Sequence, residues 1–543
     1  MKLKKILCVT LALVMSLTLL ASCDGNNGGG EGLSYEEGAD LATVEMVMKE
    51  GKDGKITEEV FEPSLLLQDY DYENMNVFQE AFKYTNVKPS EFVAPISDAN
   101  QQYTLMISDT KNPMADIVVT NISTMNSAGD AVFVPLDELI DRHAPNIKKY
   151  FEENPEIKAQ ALAEDGKLYS IPSTYDAIVS QGWYIRKDWL DKLGLKVPTT
   201  VDEYYEVLTA FRNQDPNGNG KKDEIPYFHR TDDWTSLYQL WDAMDRWYIG
   251  EDDKVHHGWT EPSMKVAMQN IIKWRKEGLI DPEITSRQNA REVLLGNNLG
   301  GSTHDWFSST GSFNKSVKEN HKDEAWAQDF EWIAIVPPAD INGVVKEVDS
   351  RSLMRGQGWG ITVTNRYLVE TIKYMDWWFT DQGKLTYWYG MEGVDYVINA
   401  EGKPEFTDTV LNSQNGVPMY LRKNGQLEQG APMSMEAEMA GMVPEALQGF
   451  KLYQDSVNVL PQMPTLAHTT EEKEISAQYG TSLQTFIDET ISKWYVGDTE
   501  LTDEAWNKYL EEAEKRGLSK VIEIRQTAYD RLVSRGGGVD KAE

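Results

Sequence analysis

Asp215, Asn217 and Asn219 alternate along Asp215-Pro-Asn-Gly-Asn-Gly-Lys-Lys-Asp-Glu-Ile-Pro226, with Gly220 next and Asp223 three residues beyond it. This is the oxygen spacing of a calcium loop. Ca²⁺ takes six to eight hard oxygen ligands, and a tight loop can turn alternate side chains onto one centre. Asp215, Asn217 and Asn219 fall at positions 1, 3 and 5, and Gly220 supplies the sharp turn at 6. Lys221 falls at position 7, where the backbone carbonyl serves, and Asp223 at 9. Position 12 is Pro226 where an EF-hand has a bidentate Glu, so Glu224 is the nearest substitute. The competing reading is an Asn/Gly-rich surface turn. An isolated loop of this kind predicts a structural ion that does no chemistry.

The rest of the chain offers little else for chemistry. Lys2, Lys4 and Lys5 precede the apolar run Ile6–Leu20, and Leu20-Ala-Ser-Cys23 follows, which reads as a secretory signal over residues 1–22. Leu-Ala-Ser-Cys resembles the lipobox of bacterial lipoproteins, which implies a lipidated Cys23 (diacylglycerol and palmitate). The glycine-rich stretch 24–32 would be a flexible tether. Cys8 and Cys23 are the only two cysteines, so the mature body has no thiol for disulfides, zinc or thiolate catalysis. A net charge of −34, more acidic still once three signal lysines leave, argues against nucleic acid or anionic membrane as partners. With 41% hydrophobic residues, the chain can fill a sizeable core.

Strand-like runs at 42–48, 115–120, 182–186, 332–338 and 358–364 alternate with helical periodicity at 76–82, 264–277 and 369–381. This predicts α/β lobes with largely parallel sheets. A helix over 187–193 should stop at Gly194, and Thr200 with Glu203 reads as a capping box. Gly300-Gly-Ser-Thr-His-Asp-Trp306 reads as a glycine-rich turn. The C-terminal stretches 471–495, 503–516 and 521–533 read as charged helices.

From Ile185-Arg-Lys-Asp-Trp-Leu-Asp-Lys-Leu-Gly-Leu195 through the calcium loop, the chain resembles extracellular solute-binding proteins of family 1, of the alginate-binding subgroup. Supporting segments are Val134-Pro-Leu136, Asp165-Gly-Lys-Leu-Tyr-Ser-Ile-Pro172, Gly278-Leu-Ile-Asp-Pro-Glu283, Tyr389-Gly-Met-Glu-Gly-Val-Asp-Tyr396 and Ala528-Tyr-Asp-Arg531. The resemblance implies a two-lobed, type II periplasmic-binding-protein-like α/β fold with C-terminal helices. After a tether over 23–38, one lobe would cover 39–172 with 356–390. The other would cover 173–355 with 391–543, and hinge crossings would lie near 170–175, 345–358 and 388–400. Calcium would be held by Asp215, Asn217, Asn219, Lys221, Asp223 and Glu224. The implied role is a lipid-anchored, monomeric receptor on the extracytoplasmic face of the cell membrane. It would hand an oligosaccharide to the permease subunits of an ABC importer and touch the membrane through its lipid alone.

Sugar faces stack on aromatic rings while hydroxyls need convergent polar groups. At the expected cleft edges this selects Tyr175 with Asp176, Trp306 with Asp305, and Trp359 with Arg355. Trp234, with Trp241 and Trp247 nearby, and Trp388, Glu392 and Tyr396 at the third crossing complete the set. For each tryptophan the alternative is a core-filling role. Glycines beside Trp306 and Trp359 favour ligand contact there. No His-Glu-x-x-His, Gly-x-Ser-x-Gly or P-loop is present, and the pair His256-His257 reads as exposed, not metal-bound. A hydrolase or lyase needing only two carboxylates, or a receptor for another solute on the same fold, remains open.

Overall fold

The computed structural model describes residues 43–49, 75–94, 105–109, 111, 113–230, 234–413, 416–426 and 431–538; the signal, the tether and Cys23 lie outside them. Everything described belongs to the unit Tyr35–Glu543. Ten strands build two main sheets: β1 (Thr43–Lys49), β2 (Lys88–Ala94), β3 (Ile117–Asn121), β4 (Ile171–Tyr175), β5 (Gln181–Arg186), β6 (Ile225–Tyr227), β7 (Gly300–Trp306), β8 (Trp332–Ile335), β9 (Met354–Ile361) and β10 (Pro432–Met433). The first sheet runs β10-β4-β9-β3-β1-β2 and the second β8-β5-β7-β6.

The first sheet is parallel except for β9, which lies antiparallel between β3 and β4. The second departs from the expected parallel pattern. β5 is antiparallel to both β8 and β7, and only β6 pairs parallel with β7. Each sheet has its own apolar core, one around Ile117, Phe133 and Trp359, the other around Trp183, Trp189 and Trp332. Two cores are what a chain of this length needs, because a single core stops growing well before 500 residues.

Local chemistry sets the element ends. The helix Lys187–Leu193 stops at Gly194 in the left-handed region (φ 67°), and the Leu195 N–H closes back on Leu190 O at 2.8 Å. Thr200 caps the helix Val201–Asn213 by accepting from Glu203 N at 3.2 Å. Glu203 departs from the predicted box: its carboxylate takes the Thr199 N–H (2.8 Å) and hydroxyl (2.7 Å).

Gly300–Trp306 is a strand, not a turn. A Cβ on Gly300 would meet Phe228 at 2.6 Å and one on Gly301 would meet Phe211 at 2.7 Å, so these glycines admit core rings. The adjacent pair His256-His257 also splits. His257 is 3% exposed between Trp247 and Trp259, and burial pulls its pKa down to about 4. His256 stays half-exposed between Asp252 and Glu261.

The sheets are joined by residues 176–180 between β4 and β5, and by the stretch after β8 that ends at Met354. A third passage follows β10, where the chain runs from Met433 to the helix Pro444–Ser456 beside β8. It therefore lies past the expected 388–400. Residues 389–421 form a small cluster of their own, joined by Ala437 and bordered by Trp388. Buried Asp395 organises it, accepting from Asn76 Nδ2 (2.8 and 2.9 Å), Tyr420 OH (2.7 Å) and Met391 N (2.8 Å). The last helix, Leu518–Ser534, starts in the second core at Val521, and Arg535 just beyond it donates to Ala163 O and Glu164 O.

Candidate functional site

β3, β4 and β10 end on one edge of the first sheet, at Asn121, Tyr175 and Met433. In the second sheet β7 ends at Trp306, opposite Gln181, the first residue of β5. Residues 176–180 connect these two edges. Ligands in open α/β sheets gather outside the carboxyl ends of strands, so this junction is the candidate site.

Three passages are fastened here by side chains. Asp176 Oδ1 accepts from Met435 N at 2.7 Å. Arg351 donates to Val179 O (3.2 Å) and forms a two-point pair with Glu438 at 2.9 and 3.2 Å. Its guanidinium lies 4.3 Å over the Tyr175 ring, and that of Arg355 lies 5.3 Å from it. One half-buried tyrosine thus carries two cations, a geometry worth about 0.5–2 kcal/mol per contact.

Across the junction, Trp306 keeps 39% of its surface exposed, while Asp305 behind it is buried. Arg230 Nη2 lies 2.8 Å from Asp305 Oδ1 and Arg291 Nη1 lies 3.2 Å from Oδ2. Burial alone would raise the Asp305 pKa; the two guanidiniums reverse this and hold it below the ordinary carboxylate value. Arg230 also donates to Ser309 Oγ at 2.5 Å. The result is an exposed indole beside a rigid, polar, charged wall.

Of the residues selected from sequence, Tyr175, Asp176 and Arg355 lie at the first-sheet edge of this junction, and Asp305 and Trp306 at the second-sheet edge. Trp359 does not. It has no exposed surface and belongs to the first core. The room beside it is taken by backbone: a Cβ on Gly358 would meet Ile171 O at 2.6 Å, and one on Gly360 would meet Tyr169 O at 2.7 Å. Tyr396 is likewise fully buried in the Asp395 cluster, with Glu392 exposed on its outside. Trp388 borders that cluster and donates to Pro432 O at 2.7 Å. Trp234 stacks on Tyr495 with centroids 3.7 Å apart and planes 2° apart, so that ring occupies one of its faces. Trp241 is buried against Trp274.

Sequence reasoning missed Arg230, Arg351, Glu438, Gln181 and Asn121. Asn121 was findable, because it follows the strand-like run Ile117-Val-Val-Thr120 and precedes a helix. The arginines were not, since their carboxylate partners lie 75 and 87 residues away.

The oxygen-rich loop lies between the helix Val201–Asn213 and β6 of the second sheet. Asp215, Gly218 and Gly220 take positive φ (50°, 75° and 79°), which folds the loop on itself. Asp215 accepts from Asn219 N (3.1 Å) and Gly220 N (3.0 Å), and Asn219 Oδ1 accepts from Lys221 N at 2.8 Å. Asp223 takes both asparagine amides, Asn217 Nδ2 at 3.2 Å and Asn219 Nδ2 at 3.0 Å. Glu224 has no exposed surface, and neither carboxylate oxygen finds a hydrogen-bond partner. Burial, reinforced by Asp215 and Asp223, holds its pKa above the ordinary value. An orphaned buried carboxylate beside two others fits a hard divalent cation. Asp215, Asn217, Asn219, the Lys221 carbonyl, Asp223 and Glu224 would hold it.

Residues 75–399 match the family model for bacterial extracellular solute-binding proteins. The chain belongs to this family. The fructooligosaccharide ABC transporter substrate-binding protein FusA of Streptococcus pneumoniae is 27% identical over 457 residues, 76% of this chain and 78% of FusA. The crystal structure of the alginate-binding protein AlgQ2 without calcium ion is 34% identical, with a TM-score of 0.74 over 91% of this chain and 99% of AlgQ2. A structure of a FusA EF-hand mutant with fructo-nystose gives a TM-score of 0.68 at 23% identity, over 91% of this chain and 99% of that one. The solute-binding protein fold thus has two lobes.

Proposed function

We propose that this solute-binding protein captures an oligosaccharide between its lobes and releases it intact to an ABC importer. The observation that carries this reading is the exposed Trp306 indole, backed by the Arg230–Asp305–Arg291 cluster at the lobe junction. The indole offers a stacking face for a pyranose or furanose ring. Arg230, Asn121 and Gln181 offer polar groups to hydroxyls, and Tyr175 with Arg351 and Arg355 lines the first-sheet side of the junction. The relatives FusA, a fructooligosaccharide transporter's substrate-binding protein, and AlgQ2, an alginate-binding protein, support a carbohydrate ligand here.

The protein acts as a receptor, not an enzyme. A glycoside hydrolase needs one carboxyl held protonated beside a second that is ionised. At the junction Asp305 is held ionised by two arginines and Glu438 is engaged by Arg351, while Asp176, whose carboxyl pKa burial pushes up, is taken by the Met435 N–H that braces two passages. A calcium ion at Asp215–Glu224 fastens the loop to the second lobe and takes no part in sugar chemistry. Lipidated Cys23 holds the protein to the outer face of the membrane.

A thermal-shift screen against neutral and acidic oligosaccharides tests this reading. A ligand that binds only the folded state raises the melting temperature by mass action. A shift with a sugar of at least two units is expected. A shift confined to peptides or other solutes would replace the sugar with that class.

A further inference from the structure

Among the described residues, His304, Glu347 and Asp349 bring a ring nitrogen and two carboxylates within 4.8 Å of one another. His304 lies on β7, immediately before Asp305 and Trp306. Glu347 and Asp349 lie on the passage that leads to β9 in the first sheet. The histidine and Glu347 have no exposed surface.

Such a group suggests a metal site, but its geometry points elsewhere. The two carboxylates approach opposite ends of the ring, Glu347 at Nε2 (3.1 Å) and Asp349 at Nδ1 (3.7 Å). Each carboxylate thus has its own ring nitrogen, the arrangement of a doubly protonated ring between two acceptors. Asp349 is also already engaged by Arg246 at 2.5 Å. A neutral imidazole donating from Nε2 to Glu347 would aim its Nδ1 lone pair at the Asp349 carboxylate, which is repulsive. Protonating Nδ1 turns the same contact attractive.

Charge counting agrees. Glu347 and Asp349 bring two negative charges and Arg246 one positive, so a neutral ring would leave a buried charge unbalanced. The other groups packed around the ring do not supply the missing cation. Trp183 meets it edge-on at 5.5 Å, Gln239 donates to Glu347 Oε1 at 3.3 Å, and Tyr453 adds a phenol near Glu347. Asp305 is satisfied by Arg230 and Arg291, while Asp245 lies 3.6 Å from Arg246.

We propose that His304 is a positioning residue: as an imidazolium it clasps Glu347 and Asp349, and so fastens the second inter-lobe passage to the strand that presents Trp306. Burial opposes this charge, but Glu347 and Asp349 outweigh it and push the His304 pKa up to about 9. A folded-state value above the ordinary ~6.5 stabilises the clasp fully below that ordinary value. The stabilisation is lost as pH rises through the folded pKa. The consequence for capture rests on the sugar-binding reading above; the clasp itself does not.

The test is ¹⁵N-histidine NMR on the intact protein without sugar, with His304 assigned by the resonances lost in His304→Gln. Both ring nitrogens should be protonated near neutral pH, with a midpoint more than one unit above the ordinary value of about 6.5. Glu347→Gln should lower that midpoint by at least about one unit. A neutral tautomer near pH 7 overturns the clasp. So does a zinc titration that raises the melting temperature of the parent and not of His304→Gln. Melting curves supply a second arm. The double variant His304→Gln/Glu347→Gln should melt above Glu347→Gln alone, because it removes both members of the pair. A double variant whose loss is the plain sum of the singles contradicts the clasp. Since no arm uses a ligand, failure here and failure of the sugar reading are separately visible.

Discussion

Trp306 and Trp359 look alike in sequence: each has glycines nearby and a charged residue within a few positions. They differ in what faces them. The surroundings of Trp306 leave 39% of it open, whereas Trp359 is sealed in a core whose neighbouring strand runs against Gly358 and Gly360. Sequence could mark both as aromatic platforms, but it could not show that a strand about 190 residues away would fill the room beside one of them. Their alanine variants should therefore behave oppositely. Trp306→Ala is expected to weaken sugar binding by roughly tenfold or more with an almost unchanged melting temperature. Trp359→Ala should cost about 3–5 kcal/mol of stability, read by denaturant titration, with the affinity of the folded fraction retained. An affinity loss in Trp359→Ala without destabilisation would return that residue to the binding site.

At the level of elements, the loop 215–224 was the most legible part of the site, because its ligand spacing is local and needs no tertiary knowledge. What sequence could not show is that Glu224 ends up sealed with both oxygens unpartnered. That feature sharpens the calcium prediction. Chelation should lower the melting temperature, and added Ca²⁺ should restore it. In Asp215→Ala the calcium increment should vanish. Glu224→Gln removes the orphaned charge, so its metal-free form should melt no lower than the chelated parent, yet gain nothing from calcium. Equal calcium increments in the parent and both variants would dispose of the site.

The segment Tyr389–Tyr396 illustrates the opposite case. Its aromatics and acids suggested a cleft, but they serve a small core whose centre is Asp395. Four hydrogen bonds reach that carboxylate from Asn76, Met391 and Tyr420. Asp395→Ala leaves those donors unpaired, each orphan costing about 1–3 kcal/mol. A clear drop in melting temperature with sugar affinity intact is the expected result.

The whole molecule was legible as a class and not as a topology. Alternating strands and helices pointed to α/β lobes and the family-like segments to a two-lobed solute-binding protein, and family and fold agree. The antiparallel second sheet and the third passage beyond β10 were hidden, because strand direction and order depend on contacts far apart in sequence. The anchor is a whole-molecule property as well. Cys23→Ala should release the protein from the membrane fraction, since two acyl chains anchor stably and none remain in the variant. Unchanged membrane association would refute lipidation at that residue.

The central claim is that a sugar oligomer is bound at the lobe junction and leaves unaltered. Isothermal titration calorimetry with the oligosaccharide that gives the largest thermal shift, followed by mass spectrometry of the recovered ligand, tests it most directly. The account predicts one site per chain, an intact sugar, and at least about tenfold weaker binding in Trp306→Ala. A shortened sugar, or an affinity indifferent to Trp306, would contradict it.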